Sequence, residues 1–322
     1  MTQSVAKSVN ISNIFKAAGI RSAEVQIQEA EGMYPHKSRV EDNWSYYTAV
    51  GFKRLLKCGV YPRRMAIVGI GSGVEGIAAC AVFGNCMYEL FITDVDEGVV
   101  SGAAKNILGT ISPDSFTIRT LVGSFCEPLA QQGIHADLIH ANIPNLPAPK
   151  GADLSGGAEK GTFLRSELYE GYRPPKKYIE WALGAQFAYI QSAKDALSEK
   201  GSVITEVGGR IPLPLMQELF REHGFACEEV LVGFKEQTEA LMDFKGYHEF
   251  EEKYGVSFAF YRYEQSLLTL KERGITGNVT DMSGRELKEL LASHGVTAGE
   301  AIELYHQGVG VGHTVHILKG SR

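Results

Sequence analysis

The sequence predicts an α/β fold, an open and mostly parallel sheet with helices on both faces. Three observations predict it. Short apolar runs recur as strands at 65–68, 88–93, 116–122, 136–141 and 202–207. Helical patterns lie between them, as crossovers between parallel strands require. The first run breaks into Gly69-Ile-Gly71-Ser-Gly73-Val-Glu-Gly76, and an apolar helix follows over 74–83. Strand, glycine turn and helix open a nucleotide-binding sheet, because the glycines let backbone N–H groups approach a ligand closely.

Composition narrows the partners. The 322 residues suffice for one large α/β domain with additions, or for two domains. The net charge of −6, without a basic block, argues against a nucleic-acid backbone as partner. No run approaches the ~20 apolar residues of a membrane span, and the N-terminus lacks the apolar core of a secretory signal. Cys58, Cys80, Cys86, Cys126 and Cys227 are scattered with no CxxC pair, which suits a reducing cytoplasm. No metal is expected: His135 and His140 bracket a strand, but the sequence shows no third ligand.

In chain order, residues 1–60 are expected to form a helical cover, with Ser12 capping a helix from about Asn13. Residues 22–31 are ambiguous. Trp44, Tyr46 and Tyr47 read either as core or as a wall over a ligand; a sulfonium cation favours such a wall. The glycine turn has three readings. Gly71-x-Gly73-x-x-Gly76 fits dinucleotides, Gly69-x-Gly71-x-Gly73 fits S-adenosylmethionine (AdoMet), and a plain packing turn needs no ligand. Asp94, at the tip of the second strand, suits ribose hydroxyls in either ligand. Asp96 reads as the cap of a helix over 98–108. After the third strand, Ser124 is placed to meet adenine, and Phe125 to stack on it or to join the core.

The fourth strand runs into Asn142-Ile143-Pro144-Asn145, a polar turn stiffened by proline where open α/β sheets bind substrates. A dinucleotide dehydrogenase does not need this turn, which tips the choice toward methyl transfer. Residues 148–177 read as a lid or a disordered stretch. A long helix over 178–197 ends at Gly201, and the fifth strand leads into Gly208-Gly209-Arg210. A helix over 213–223, a strand over 228–234 and an antiparallel finishing strand over 256–263 complete the sheet. Residues 264–322 carry two capping-box signals, Ser283 with Glu286 and Thr297 with Glu300, then β-like runs at 309–311 and 314–318. They read as a small subdomain, an interface or a cover. The expected division is 1–60, 61–263 and 264–322.

Several stretches carry a resemblance. Ile143-Pro144-Asn145 matches an Ile-Pro-Gln turn, Gly208-Gly209-Arg210 follows the fifth strand, and Leu219–Phe225 and the Tyr46-Tyr47 stretch also correspond. On these the chain, from Met65 to Tyr263, resembles class I AdoMet-dependent methyltransferases. It is most similar to methionine S-methyltransferases, in the bacterial type that starts dimethylsulfoniopropionate synthesis and in the methyltransferase part of the plant enzyme. Asn142–Asn145 also resembles the Asn-Pro-Pro-Tyr motif of glutamine and nucleobase N-methyltransferases, with Ile143 for the first proline and Asn145 for the tyrosine.

The resemblance implies a Rossmann-like seven-stranded sheet with AdoMet as cofactor. Gly69, Gly71, Gly73, Asp94, Ser124, Phe125 and Asn142 would surround it. The acceptor would be a free amino acid, L-methionine first, with Asn142, Pro144 and Asn145 at the reacting edge. A zwitterion calls for an Arg at its carboxylate, Arg210 or Arg173, and an acid at its ammonium, Glu206. Tyr46, Tyr47 and Tyr172 are the aromatic candidates near sulfur. A thioether carries no proton, so S-methylation needs no general base. Two other readings stay open. One is N-methylation of another amino acid, a small amine or a protein glutamine. The other is a non-catalytic AdoMet- or NAD-binding regulator. A homodimer is left open as the assembly.

Overall fold

A computed structural model describes residues 6–21, 23–30, 32–111 and 116–322 of the chain. Seven principal strands build the central sheet, β1 (Arg64–Val68), β2 (Glu89–Asp94), β3 (Thr117–Val122), β4 (Ala136–Ala141), β5 (Leu197–Gly208), β6 (Ala226–Glu236) and β7 (Val311–Ser321), and the short strands Phe260–Arg262, Val279–Thr280 and Gly295–Val296 add to it near β6 and β7. Their order across the sheet is β3-β2-β1-β4-β5-β7-β6. β1 to β5 pair in parallel, and β7 runs antiparallel to both β5 and β6. This is the expected Rossmann-like seven-stranded sheet. The order reverses between β1 and β4, so their carboxyl ends open a crevice for ligands.

β1 shows why the sheet is covered twice. Met65 and Ile67 point into one core and Ala66 and Val68 into the other, all buried, the alternation of a strand packed on both faces. On the first face lie α1 (Ser12–Ala18), α2 (Trp44–Lys57), α3 (Val74–Phe83) and α4 (Glu97–Thr110). On the second lie α5 (Gly184–Ala196), α6 (Leu213–Glu222) and α7 (Ala240–Tyr254). Asp96 caps α4, accepting from the N–H groups of Gly98 and Val99. Both predicted capping boxes form, at Ser283–Glu286 on α8 (Gly284–Leu291) and at Thr297–Glu300 on α9 (Ala298–His306).

Four expectations are corrected. The antiparallel finishing strand is Val311–Ser321, not 256–263. Residues Phe260–Arg262 form only a short strand beside the start of β7. A strand between two others must bury both faces, and residues 311–318 are buried throughout. The chain after 264 therefore supplies a central strand of the main sheet instead of standing aside. The long helix over 178–197 is two helices, Lys176–Glu180 and α5, broken where Ala182 takes a left-handed φ of 53°. Gly201 lies within β5. Ser12 does not cap: its Oγ accepts from the Val25 N–H at 2.8 Å, tying α1 to the following segment. Residues 26–29 of the ambiguous stretch form a strand, Gln26–Glu29; Ser22 and Glu31 lie outside the described residues.

Candidate active site

A cavity of about 550 Å³ opens at the carboxyl ends of β1, β2, β4 and β5. Its first end is the glycine turn. The N–H groups of Gly69 and Ile70 both donate to the Thr93 carbonyl at 2.9 Å, which clamps the turn to β2. Gly71 donates to Asp94 Oδ2 at 3.4 Å, and Asp94 Oδ1 accepts from the Asp96 N–H at 3.3 Å. Burial raises the Asp94 pKa, and these amide bonds oppose the rise. Gly69, Gly71, Asp94, Ser124 and Phe125 all line the cavity. Gly71 has φ +54°, and an added Cβ there would meet nothing within 4 Å. Gly73 does not line it. Its φ is +88°, and a Cβ would stand 2.9 Å from the Ala103 carbonyl, so this glycine serves the packing of the turn on α4.

The middle of the cavity is the tip of β4. Asn142 Nδ2 donates to Glu75 Oε1 at 3.2 Å, and Glu75 Oε2 meets His140 Nε2 at 2.8 Å. Glu75 stands in the first turn of α3, where a helix N-terminus favours an acid. Thr48 Oγ1, from α2, donates to Glu206 Oε2. Glu206 is fully buried, and its other oxygen has no hydrogen-bond partner. Burial and the neighbouring Glu75 push its carboxyl well above the usual range. Asn142, Pro144 and Asn145 all line the cavity. Asn145 is held by its own network: its Oδ1 accepts from Gln186 Nε2 at 3.2 Å, and Gln186 Oε1 accepts from Thr205 at 2.8 Å.

The far end is charged and buried. Arg210 Nη1 donates to Gln237 Oε1 at 2.6 Å, and Gln237 Nε2 donates to Asp243 Oδ2. The guanidinium carbon lies 4.8 Å from the centre of the Tyr247 ring. Burial raises Asp243 to about 6, against the pull of Arg210 and Lys235. Lys235, fully buried, falls to about 8 through burial and the repulsion of Arg210. Its ammonium lies 5.1 Å from the Trp44 ring, which stacks on His313 at 5.5 Å.

No family model matches the sequence, and no curated protein matches it closely. Similar folds appear among solved structures. A 16S rRNA methyltransferase of T. thermophilus, solved with AdoMet and guanosine, is 16% identical over 70% of this chain and 48% of its own, with a TM-score of 0.44. A ribosomal protein methylase of Lactobacillus delbrueckii subsp. bulgaricus is 19% identical over 59% of this chain and 71% of its own, with a TM-score of 0.37. A precorrin-6y methyltransferase of Geobacter metallireducens is 14% identical, over 59% and 76%, with a TM-score of 0.34. At these identities the likeness is one of fold.

Of the expected substrate residues, Glu206 and Arg210 reach the cavity. Among the described residues that line it, Tyr46, Tyr47, Tyr172 and Arg173 are missing. Tyr47 is buried on the far side of α2, where its hydroxyl donates to the Glu41 carbonyl at 3.1 Å. Tyr46 packs edge-on against it. Tyr172 donates to Glu127 at 2.7 Å and packs behind Phe125. Arg173 is exposed. The aromatic residues at the cavity are Tyr34, Phe125, Phe163, Tyr247 and Trp44, the last of them one helical turn from Thr48. Part of the predicted lid does form a wall: Leu154, residues 160–165 and Leu168 line the cavity, and Lys160 pairs with Asp96 at 3.3 Å.

The fold also supplies what the sequence did not show beside His140. Ligand atoms of Glu75, His140 and Glu206 lie within 4.8 Å of one another. A metal-bound His donates its other ring N–H to a partner, yet His140 Nδ1 is buried without one.

Proposed function

We propose that the chain is an AdoMet-dependent methyltransferase whose acceptor is a free amino acid, L-methionine, giving S-methylmethionine. One observation carries this reading. A single cavity joins the glycine turn and Asp94 to a buried Arg210 and Asp243, and opposite charges in an enclosed space suit the two ends of a small zwitterion.

When bound, AdoMet supplies an electrophilic methyl group on its sulfonium. Asp94 accepts hydrogen bonds from ribose hydroxyls, and the Gly69–Gly71 turn, its N–H groups held by the Thr93 carbonyl and Asp94, lies beside the chain beyond the ribose. Ser124 and Phe125 flank adenine. Asn142, pinned by Glu75, presents its carbonyl oxygen to the reacting edge, while Pro144 and Asn145 keep that edge rigid. Arg210 binds the acceptor carboxylate. Asp243 takes its ammonium, the role expected of Glu206. Trp44 presents an aromatic face in place of Tyr46 and Tyr47. With both reactants so held, positioning supplies most of the rate, and a thioether acceptor has no proton to remove.

One observation favours a second reading. The Glu75–His140 pair beside Asn142 could take a proton from an amine, as N-methylation of another amino acid or small amine requires.

Labelled AdoMet tests both. The chain is incubated with methionine, with the other amino acids and with ribosomal RNA, and labelled products are separated. S-methylmethionine is the expected product. Label on RNA or on another amino acid, with none on methionine, overturns the assignment. If S-adenosylhomocysteine does not raise the melting temperature, the cofactor assignment falls as well.

A further inference from the structure

We propose that Glu75 and Glu206 form an anionic subsite for an onium cation, a centre with fixed positive charge and no N–H to donate. This rests on the reading above, in which the product carries a positive sulfur that the acceptor lacks.

Three observations meet here. Glu75 and Glu206 stand within 4.8 Å of each other and of His140. Among the described residues neither carboxylate forms an ion pair with a Lys or Arg, and the buried Lys235 acts on Glu206 only from beyond contact. A buried anion without a counter-charge is costly, and the cost is relieved by a proton or by a cation. The second observation is the bare Oε1 of Glu206, buried at the cavity wall with no donor near it. An ammonium site needs acceptors aimed at each N–H. An onium centre needs only charge close by and a face to lie against.

The third observation concerns what surrounds the pair. Both oxygens of Glu75 are already engaged, by His140 on one side and by Asn142 on the other. These contacts hold the carboxylate at the tip of β4, beside the asparagine assigned to the reacting edge. Trp44 stands in the same cavity wall. A divalent metal fits less well, because His140 lacks the second partner a ligating imidazole uses.

The test uses the full chain loaded with S-adenosylhomocysteine, and trimethylsulfonium as the probe. Tert-butanol, of similar size and neutral, is the control. Calorimetric or NMR titration should show saturable binding of trimethylsulfonium and none of the alcohol. Glu206→Gln should weaken trimethylsulfonium binding at least tenfold, with the affinity for S-adenosylhomocysteine unchanged. Glu75→Gln should also weaken trimethylsulfonium binding at least tenfold and serves if the first variant does not fold; because Glu75 also holds Asn142, its affinity for S-adenosylhomocysteine is measured alongside. Equal binding of alcohol and cation, or unaltered binding in both variants, overturns the subsite. So does stoichiometric binding of Mn²⁺ or Zn²⁺ that displaces the probe. Methionine turnover is measured separately. Its absence alongside charge-dependent trimethylsulfonium binding removes the acceptor assignment and leaves the subsite standing.

Discussion

Asn106, on α4, donates a 2.9 Å hydrogen bond from Nδ2 to the backbone carbonyl of Ser72, inside the glycine turn. The same side chain grips the strand Gln26–Glu29, accepting from the Gln28 N–H at 2.8 Å and donating to the Gln28 carbonyl at 3.0 Å. One buried amide therefore ties the N-terminal segment to the turn assigned to AdoMet. Asn106→Ala removes three bonds and leaves buried backbone groups unpaired. The expected cost is about 2–3 kcal/mol, read as a lower melting temperature, together with weaker binding of S-adenosylhomocysteine. Unchanged affinity would show that the turn holds its shape without this clasp.

Gly71 and Gly73 separate two uses of glycine. Both have positive φ, so alanine at either costs about 1–2 kcal/mol of backbone strain. At Gly73 the new Cβ also collides with the Ala103 backbone, and overpacking brings the total to about 2–4 kcal/mol. At Gly71 it enters open cavity space. Gly73→Ala should mainly lower the denaturation midpoint. Gly71→Ala should fold nearly normally and lose cofactor affinity. The reverse pattern would place the ligand elsewhere along the turn.

These positions show what was legible in the sequence. The glycine turn, Asp94 and the Asn142–Asn145 turn are contiguous patterns at strand tips, and the sheet brings them together as expected. The rest depends on contacts between distant segments. Tyr46 follows Trp44 by two residues, so on one helix it faces away from it, and Tyr47 is buried with its hydroxyl on the Glu41 and Phe234 carbonyls. Thr48, four residues on, returns to the same side and meets Glu206. Asp243 and Tyr247 share a face of α7 by the same spacing, but nothing local marks that face as a binding wall. Glu75 was visible beside the glycines, yet its partner His140 lies 65 residues away. β7 was legible only as β-like runs at 309–311 and 314–318, because its glycines and His313 and His316, polar residues that the fold buries within a central strand, break the apolar pattern.

Arg210 curls back over Gly208, where a Cβ would stand 2.6 Å from its guanidinium nitrogen. Its planar fork meets Gln237 while its face lies over Tyr247. A lysine keeps the charge and loses both contacts. Arg210→Lys should raise the KM for methionine about 10- to 100-fold, roughly the 1.4–2.8 kcal/mol of a charge-assisted bond. The affinity for S-adenosylhomocysteine should stay as it was. An equal loss of cofactor affinity would mean that Arg210 shapes the whole cavity and does not select the acceptor.

Asp243 gives the site a pH dependence of definite sign. Burial raises its carboxyl from 3.8 to about 6, the Arg210 and Lys235 charges notwithstanding. The folded chain thus holds this proton where the unfolded chain has lost it. On this group's account, stability falls as pH climbs from about 4 to about 6 and is flat above that window. Activity should move the other way. The acceptor ammonium needs an ionised Asp243, so kcat/KM for methionine should rise through pH 6 and then level off. Asp243→Asn keeps the bond from Gln237 in outline, since its carbonyl can accept, but it cannot supply the charge. In this variant the acidic limb should vanish and the KM should be high at every pH, while the melting temperature above pH 6 rises or holds. A limb that survives in Asp243→Asn belongs to another acid, and Glu206, a fully buried carboxyl also raised in this cavity, is then the first group to change.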